Sequence, residues 1–307
     1  MYIVKFIGGR KIEGYNNVFG GTPMTISMFE KSFKNDTEFR IDIATRQELE
    51  TIVEIKDFIK DADIIHIDDY QVYKKMIDNG IIPDVIGITI RTPAKKYKDW
   101  NADVSTETFY KSEVVRLNNG EEKNTEYEDK INYIIHAVDL DLLKPNLDKT
   151  KKYILWAGDI RRSIKNYEMF EEIMKMELPI GFEFKVLSNY NVDDYWKALE
   201  ETAILVNTSK SESFCCALFE AKAKGVATIY RKGLHSAQWK DSEIQVEYNI
   251  ESYQKAILNL LEENGYIYYG KKNREYAEQN NTFEKMKDSY KKVYKQILNK
   301  KQCQEVK

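Results

Sequence analysis

Cysteine is nearly missing from this sequence: three occur in 307 residues, with Cys215 and Cys216 adjacent and Cys303 in a polar tail. That spacing supplies neither a disulfide framework nor a set of metal ligands, and it fits a reducing cytoplasm. No apolar run approaches the roughly 20 residues that cross a bilayer. The opening MYIVKFIGG has strand length and lacks the cleavage pattern of a secretory leader. A cytoplasmic chain is expected, with no transmembrane segment and at most peripheral contact with a membrane. Strong net charge is also lacking. The 47 basic and 50 acidic side chains sum to −3, too little for the overall field to hold nucleic acid or anionic lipid. Low-complexity tracts and internal repeats are absent as well.

What is present is a strong βαβ rhythm. Strand-length apolar runs at Tyr2–Ile7, Phe39–Ala44, Asp63–Ile67 and Val85–Ile90 alternate with amphipathic stretches beginning at Thr25 and Asp69, which predicts buried parallel strands and covering helices. Residues 100–129 are polar and read as loop or irregular structure, and INYIIHAVD (Ile131–Asp139) reads as one more strand. The Pro-, Asn- and Lys-containing stretch Leu142–Lys152 reads as a linker. The rhythm restarts with strands at Tyr153–Gly158, Phe182–Leu187, Ala203–Asn207 and Val226–Tyr230, and helices near Asn166–Met176, Tyr195–Glu200 and Ser213–Lys224. Length and rhythm together predict an α/β protein of two Rossmann-like doubly wound domains facing a cleft. The domains are placed at 1–147 and 148–283, with a C-terminal helix and tail at 284–307. Phe283, Met286, Tyr290, Val293, Tyr294 and Ile297 form one stripe on that helix, so it is expected to dock.

The chemistry is sought at the carboxyl ends of strands, where doubly wound sheets bind ligands. After Ala203–Asn207 come Thr208, Ser209 and Ser211 and then a helix start, whose free N–H groups and dipole suit an anion, with Ser213 as a further hydroxyl donor. Read by itself, this is equally a capped helix. The segment then runs Glu212, SFCCALF, Glu220, with Ala221, Ala223 and Gly225.

This Glu-x7-Glu segment, between a buried strand and a helix closed by glycine, resembles the large retaining family of GT-B glycosyltransferases (group 1, family 4-like). The resemblance implies that Glu212 contacts the transferred sugar and Glu220 the donor ribose, with Phe214 among the donor-binding residues. It also implies that ILWAGDIRRSIKNYEMFEEI holds the donor diphosphate through Lys165 and one of Arg161 and Arg162. Asp159 stands where the family has Arg, and Cys215 where it has Gly. In the first half, Gly20 and Gly21 resemble the family's glycine turn beneath the donor phosphates, and Arg91 stands where relatives carry a cleft histidine. A guanidinium there binds phosphate or an anionic acceptor and cannot act as a base. His66, in an apolar run, reads first as structural.

The function so implied is transfer of a sugar from a nucleotide-diphosphate donor, with retention, no metal and no cofactor beyond the co-substrate, to a glycan or glycolipid acceptor. Asp139 and Asp141 have the spacing of an Asp-x-Asp triplet but sit at the linker. Two other readings stay open: a phage-type enzyme glycosylating modified DNA bases, which needs a basic groove at Arg91, Lys95 and Lys96, and a catalytically silent GT-B-like binding subunit.

Overall fold

The computed structural model describes residues 1–8, 21–68, 70–81, 86–90, 104–107, 131–134, 136–146, 152–210, 212, 215–232, 234 and 244–305. In the first half, β1 (Tyr2–Gly8), β2 (Phe39–Thr45), β3 (Ile64–Ile67), β4 (Ile86–Ile90), β5 (Val104–Glu107) and β6 (Ile131–Tyr133) form one sheet. Its order is β2-β1-β3-β4-β5-β6, and every neighbouring pair is parallel. Parallel neighbours require long crossovers, supplied here by α1 (Gly21–Phe33), α2 (Ile52–Ile59) and α3 (Tyr70–Asp78). Both faces of such a sheet are covered, which is why β3 (IIHI) is buried at every position.

The second half repeats the plan. Strands β7 (Lys152–Ala157), β8 (Phe182–Leu187), β9 (Thr202–Asn207), β10 (Ala227–Arg231) and β11 (Ile244–Val246) pair in parallel in the order β11-β10-β9-β7-β8. Helices α4 (Tyr167–Ile173), α5 (Val192–Glu200), α6 (Cys216–Ala223) and α7 (Ile250–Leu261) follow β7, β8, β9 and β11 in turn. The chain thus has the two doubly wound α/β domains expected of it. The proposed boundary at 147/148 falls outside the described residues.

Several local expectations are corrected. Residues 104–107, inside the segment read as loop, form β5; VSTE lacks the apolar run that marks the other strands. INYIIHAVD is strand only over Ile131–Tyr133. The helix after β9 starts at Cys216 and not near Ser213, because Cys215 has a non-helical backbone at φ −97°, ψ 87°. Helix α2 carried a legible signal: Thr51 and Glu54 form a capping box, each side chain accepting from the other's backbone N–H.

After α8 (Gly265–Asn280), the long helix α9 (Phe283–Glu305) returns to the first domain. Its predicted stripe is what it buries. Met286, Tyr290, Val293, Tyr294 and Ile297 share one core cluster with Val4, Phe6, Ile26, Phe29 and Phe39, and Phe283 packs on its margin. Each large apolar side chain buried in this way contributes about 1.5–3 kcal/mol. His66 lies inside the cluster, edge-on to Phe6 and Phe29, with Nδ1 2.7 Å from the Tyr294 hydroxyl. It is a structural residue joining β3 to the returning helix. At the rim, Lys291 binds Asp36 and Glu38, and Lys295 binds Glu38.

Tyr294→Phe removes one buried hydrogen bond and little volume. A loss of about 1–2 kcal/mol is expected in urea unfolding. An unchanged midpoint would show that the His66 contact adds nothing to docking of α9.

Candidate active site at the switch point of the second sheet

Strands β7 and β9 are neighbours, while β8 lies on the far side of β7. The chain's crossovers therefore diverge between β7 and β9, leaving a crevice at their carboxyl ends where the covering helices part. Two loops meet there: Gly158–Asn166 after β7 and the segment from Thr208 after β9. They are stitched together. The buried Thr208 hydroxyl accepts from the Trp156 indole at 2.9 Å and lies 3.1 and 3.0 Å from the carbonyls of Lys165 and Asn166. The Lys210 N–H donates to Ile164 O at 2.8 Å, and Arg231, at the end of β10, donates to Lys210 O at 2.7 Å. The Tyr248 hydroxyl donates to Thr208 O and accepts from the Asn166 side-chain amide. Asn166 itself adopts the left-handed conformation (φ 50°), which asparagine tolerates better than most residues.

This frame presents a charge cluster. Lys165 Nζ is 2.5 Å from Glu212 Oε1, and the same oxygen accepts from Ser209 Oγ at 2.6 Å. Only 19% of the lysine side chain and 9% of the glutamate side chain remain exposed, so this is a largely desolvated pair and removing one partner strands the other. Burial works against the Lys165 charge, but the Glu212 carboxylate outweighs it and holds the pKa above its ordinary value. Burial pushes the neighbouring Cys215 thiol up to about 12, aided by Glu212, so this cysteine is inert. The two arginines divide. Arg161 folds back on Asp159 with bonds of 2.9 and 3.0 Å. Arg162 makes no ion pair with any described residue, yet it is close enough to oppose the charge of Lys165.

Glu220 lies on α6, whose position is fixed at its far end. Arg274 of α8 donates to Ala223 O at 2.6 Å and to Leu143 O at 2.8 Å, tying the last turn of α6 to the interdomain segment. Gly225 follows in the left-handed region (φ +67°), against Pro145 and the backbone of Gly270; a Cβ on Gly270 would strike the Gly225 carbonyl. The pairing of Glu220 with Lys224 that spacing allows does not form, since Lys224 binds Glu200 at 3.1 Å. Glu220 is instead 6% exposed, and its Oε1 is buried without a hydrogen-bond partner among the described residues.

No protein-family model matches the sequence, and no curated protein matches it by sequence. Solved structures do match. Sucrose-phosphate synthase from Thermosynechococcus elongatus superposes with a TM-score of 0.75 at 12% identity, covering 97% of this chain and 100% of that one. The catalytic domain of starch synthase IV from Arabidopsis thaliana, bound to ADP and acarbose, gives 0.74 at 9% identity, covering 97% and 99%. A glycosyltransferase from Rickettsia africae gives 0.70 at 14% identity, covering 97% and 98%. The chain has the GT-B fold. At these identities the likeness carries the fold alone, and the site must carry the function.

Within the GT-B frame the expected site residues divide into those the structure places and those it does not. Lys165 and Glu212 come together at the switch point, Arg162 precedes Lys165 in the same loop and opposes its charge, Arg161 is held by Asp159, and Glu220 lies on the helix that follows. Gly21 opens α1, after the carboxyl end of β1. Gly20, Arg91, Ser211, Ser213 and Phe214 lie outside the described residues. Tyr248 and Arg274 were not anticipated; each acts through contacts with residues distant in sequence, and no local pattern marks them. Asp139 is engaged with Lys31 at 2.8 Å and caps the Leu142 N–H.

Desolvation raises the Glu220 carboxyl from its ordinary 4.5 to about 8, and the nearby Trp196 side chain offsets only part of this. The folded protein therefore keeps a proton that the unfolded chain gives up. Stability from this group is complete below about 4.5 and declines as pH rises toward about 8. Unfolding free energies of Glu220→Gln, measured from pH 5 to 8, are expected to lack that decline. Parallel curves for the two proteins would mean that Glu220 is ionised in the empty site.

Proposed function

We propose that this protein is a glycosyltransferase that moves a sugar from a nucleotide-diphosphate donor to a glycan or glycolipid acceptor, with retention of configuration and without a metal ion. The carrying observation is the Lys165–Glu212–Ser209 cluster, with Arg162 beside it, at the switch point of a GT-B chain. In this reading the domain at 148–283 binds the donor, the domain at 1–147 binds the acceptor, and 284–307 forms the returning helix and tail.

The donor diphosphate lies against Lys165 and Arg162, the sugar against Glu212, and the ribose against Glu220. As the bond between the anomeric carbon and the diphosphate oxygen breaks, negative charge grows on the leaving group. Lys165, kept cationic by Glu212 and held by the Thr208 network, is a fixed donor at that point, and such preorganisation lowers the barrier more than it stabilises the ground state. The acceptor oxygen bonds to the anomeric carbon from the face the diphosphate leaves. Its proton passes to the departing phosphate oxygen. Glu212 Oε1 is taken by Lys165 and Ser209, which leaves Oε2 to face the sugar ring as it becomes cationic.

Arg162, unpaired among the described residues, is assigned to the diphosphate, and Arg161 to orienting the loop through Asp159. The capture of Arg161 by Asp159 is also what favours the second reading, a silent GT-B binding subunit; release of sugar from the donor distinguishes the two. The modified-DNA reading rests on Arg91, Lys95 and Lys96, which lie outside the described residues, and nothing in the site favours it.

Lys165→Ala is expected to lower kcat by about 10²-fold or more, and full activity would remove this lysine from the mechanism. The glutamates should separate: Glu212→Ala lowers kcat, whereas Glu220→Ala mainly raises KM for the donor, because ribose hydroxyls do not change charge during reaction. Two variants altered only in KM would overturn the assignment of Glu212 to the sugar. Turnover is expected to persist in EDTA; its complete loss, restored by Mn²⁺ or Mg²⁺, would refute the metal-free mechanism.

A further inference from the structure

The Glu220 carboxyl is buried in the second domain with a single hydrogen-bonding side chain, Trp196, acting on it. It sits inside α6 with 6% of its surface exposed, and Oε1 finds no hydrogen-bond donor among the described residues. A buried carboxylate without donors or a cation is costly, and such a group sheds its charge by keeping a proton. Among the described residues no cation acts on it. Trp196 on α5 is the side chain acting directly on the carboxyl, and the titratable groups that respond to its charge are Tyr190, after β8, and Tyr195, on α5. The further charged and ionisable groups near Tyr190 are Cys215, Cys216 and Glu212, all acidic. The nearby lysines are engaged elsewhere: Lys165 with Glu212, Lys224 with Glu200, and Lys222 over the Tyr276 ring at 4.3 Å.

We propose that Glu220, set against the donor ribose in the reading above, is a neutral carboxyl before the donor binds and becomes a carboxylate when the ribose reaches it, so that donor binding expels a proton. The inference rests on the donor reading above and adds to it the protonation state. Two adjacent hydroxyls give a carboxylate the O–H donors that the protein withholds, and charge-assisted bonds of this kind are about twice as strong as neutral ones. In the empty site the neutral form suffers no charge burial. A nucleotide lacking the diol leaves the carboxyl as it is, without the charge-assisted pair.

Isothermal titration calorimetry of the full chain with UDP, GDP and ADP at pH 7.5, in HEPES and again in Tris, reads the proton directly. The observed heat differs between buffers in proportion to the protons released. With the carboxyl titrating near 8, about three quarters of a proton is held at pH 7.5 and should be expelled by the nucleotide that binds. Glu220→Gln keeps the shape of the neutral carboxyl and has no proton to lose, so its proton count should fall by that amount; this control also subtracts any proton lost by the diphosphate. The 2′,3′-dideoxy form of the same nucleotide should bind more weakly to the unaltered protein and match the proton count of the Gln variant. Equal proton counts for the unaltered protein and Glu220→Gln, with both binding, would overturn the proposal while leaving the donor reading intact. Failure of all three nucleotides to bind the unaltered protein would overturn the donor reading and this inference with it.

Discussion

The arrangement depends on one topological constraint, the parallel pairing of β7 with β9 while β8 is sent to the outer side of β7. Parallel strands place all their carboxyl ends on one edge, and divergent crossovers leave that edge open at a single place. The loops after β7 and β9, separated by more than forty residues in sequence, are thereby brought into hydrogen-bonding contact. Thr208 and Tyr248 then lock them together through backbone carbonyls. Lys165 and Glu212 meet because of this locking, since Lys165 ends a single 3-10 turn (Ser163–Lys165) and Glu212 lies in no helix or strand.

The two glutamates show two solutions to one electrostatic problem. Glu212 is buried as an ion and receives an ammonium and a hydroxyl; Glu220 is buried without either. Taking a carboxylate out of water costs several kcal/mol unless it is paired; Glu212 has such a partner, whereas burial favours the neutral acid at Glu220. One buried carboxyl is thus satisfied by its neighbours, and the other, on α6, keeps an oxygen without a partner among the described residues. The structural rigidity behind it comes from outside the site, from Arg274 and the Gly225–Gly270 contact at the far end of α6.

Much of this was legible from residue patterns. Alternating strands and helices and the terminal stripe of α9 follow from local periodicity, because it reports which face of an element is buried; Lys165, Glu212 and Glu220 were singled out by the family resemblance. The polar strand β5 and the late start of α6 did not follow, since VSTE has no apolar run and a backbone departure at Cys215 leaves no mark in composition. The choice between Arg161 and Arg162 was open for a similar reason. Both are basic and adjacent, and only the position of Asp159 relative to each guanidinium distinguishes them.

By itself the sequence determined the fold class, the two-domain plan and the docking face of the last helix, since burial periodicity is a property of the chain. The tertiary structure decided the pairings. It set Lys165 against Glu212, turned Lys224 away from Glu220 toward Glu200, and buried His66 beneath the Tyr294 hydroxyl. His66 and Tyr294 stand 228 positions apart, and whether a buried charge is matched or left alone depends on distances that only the folded chain defines.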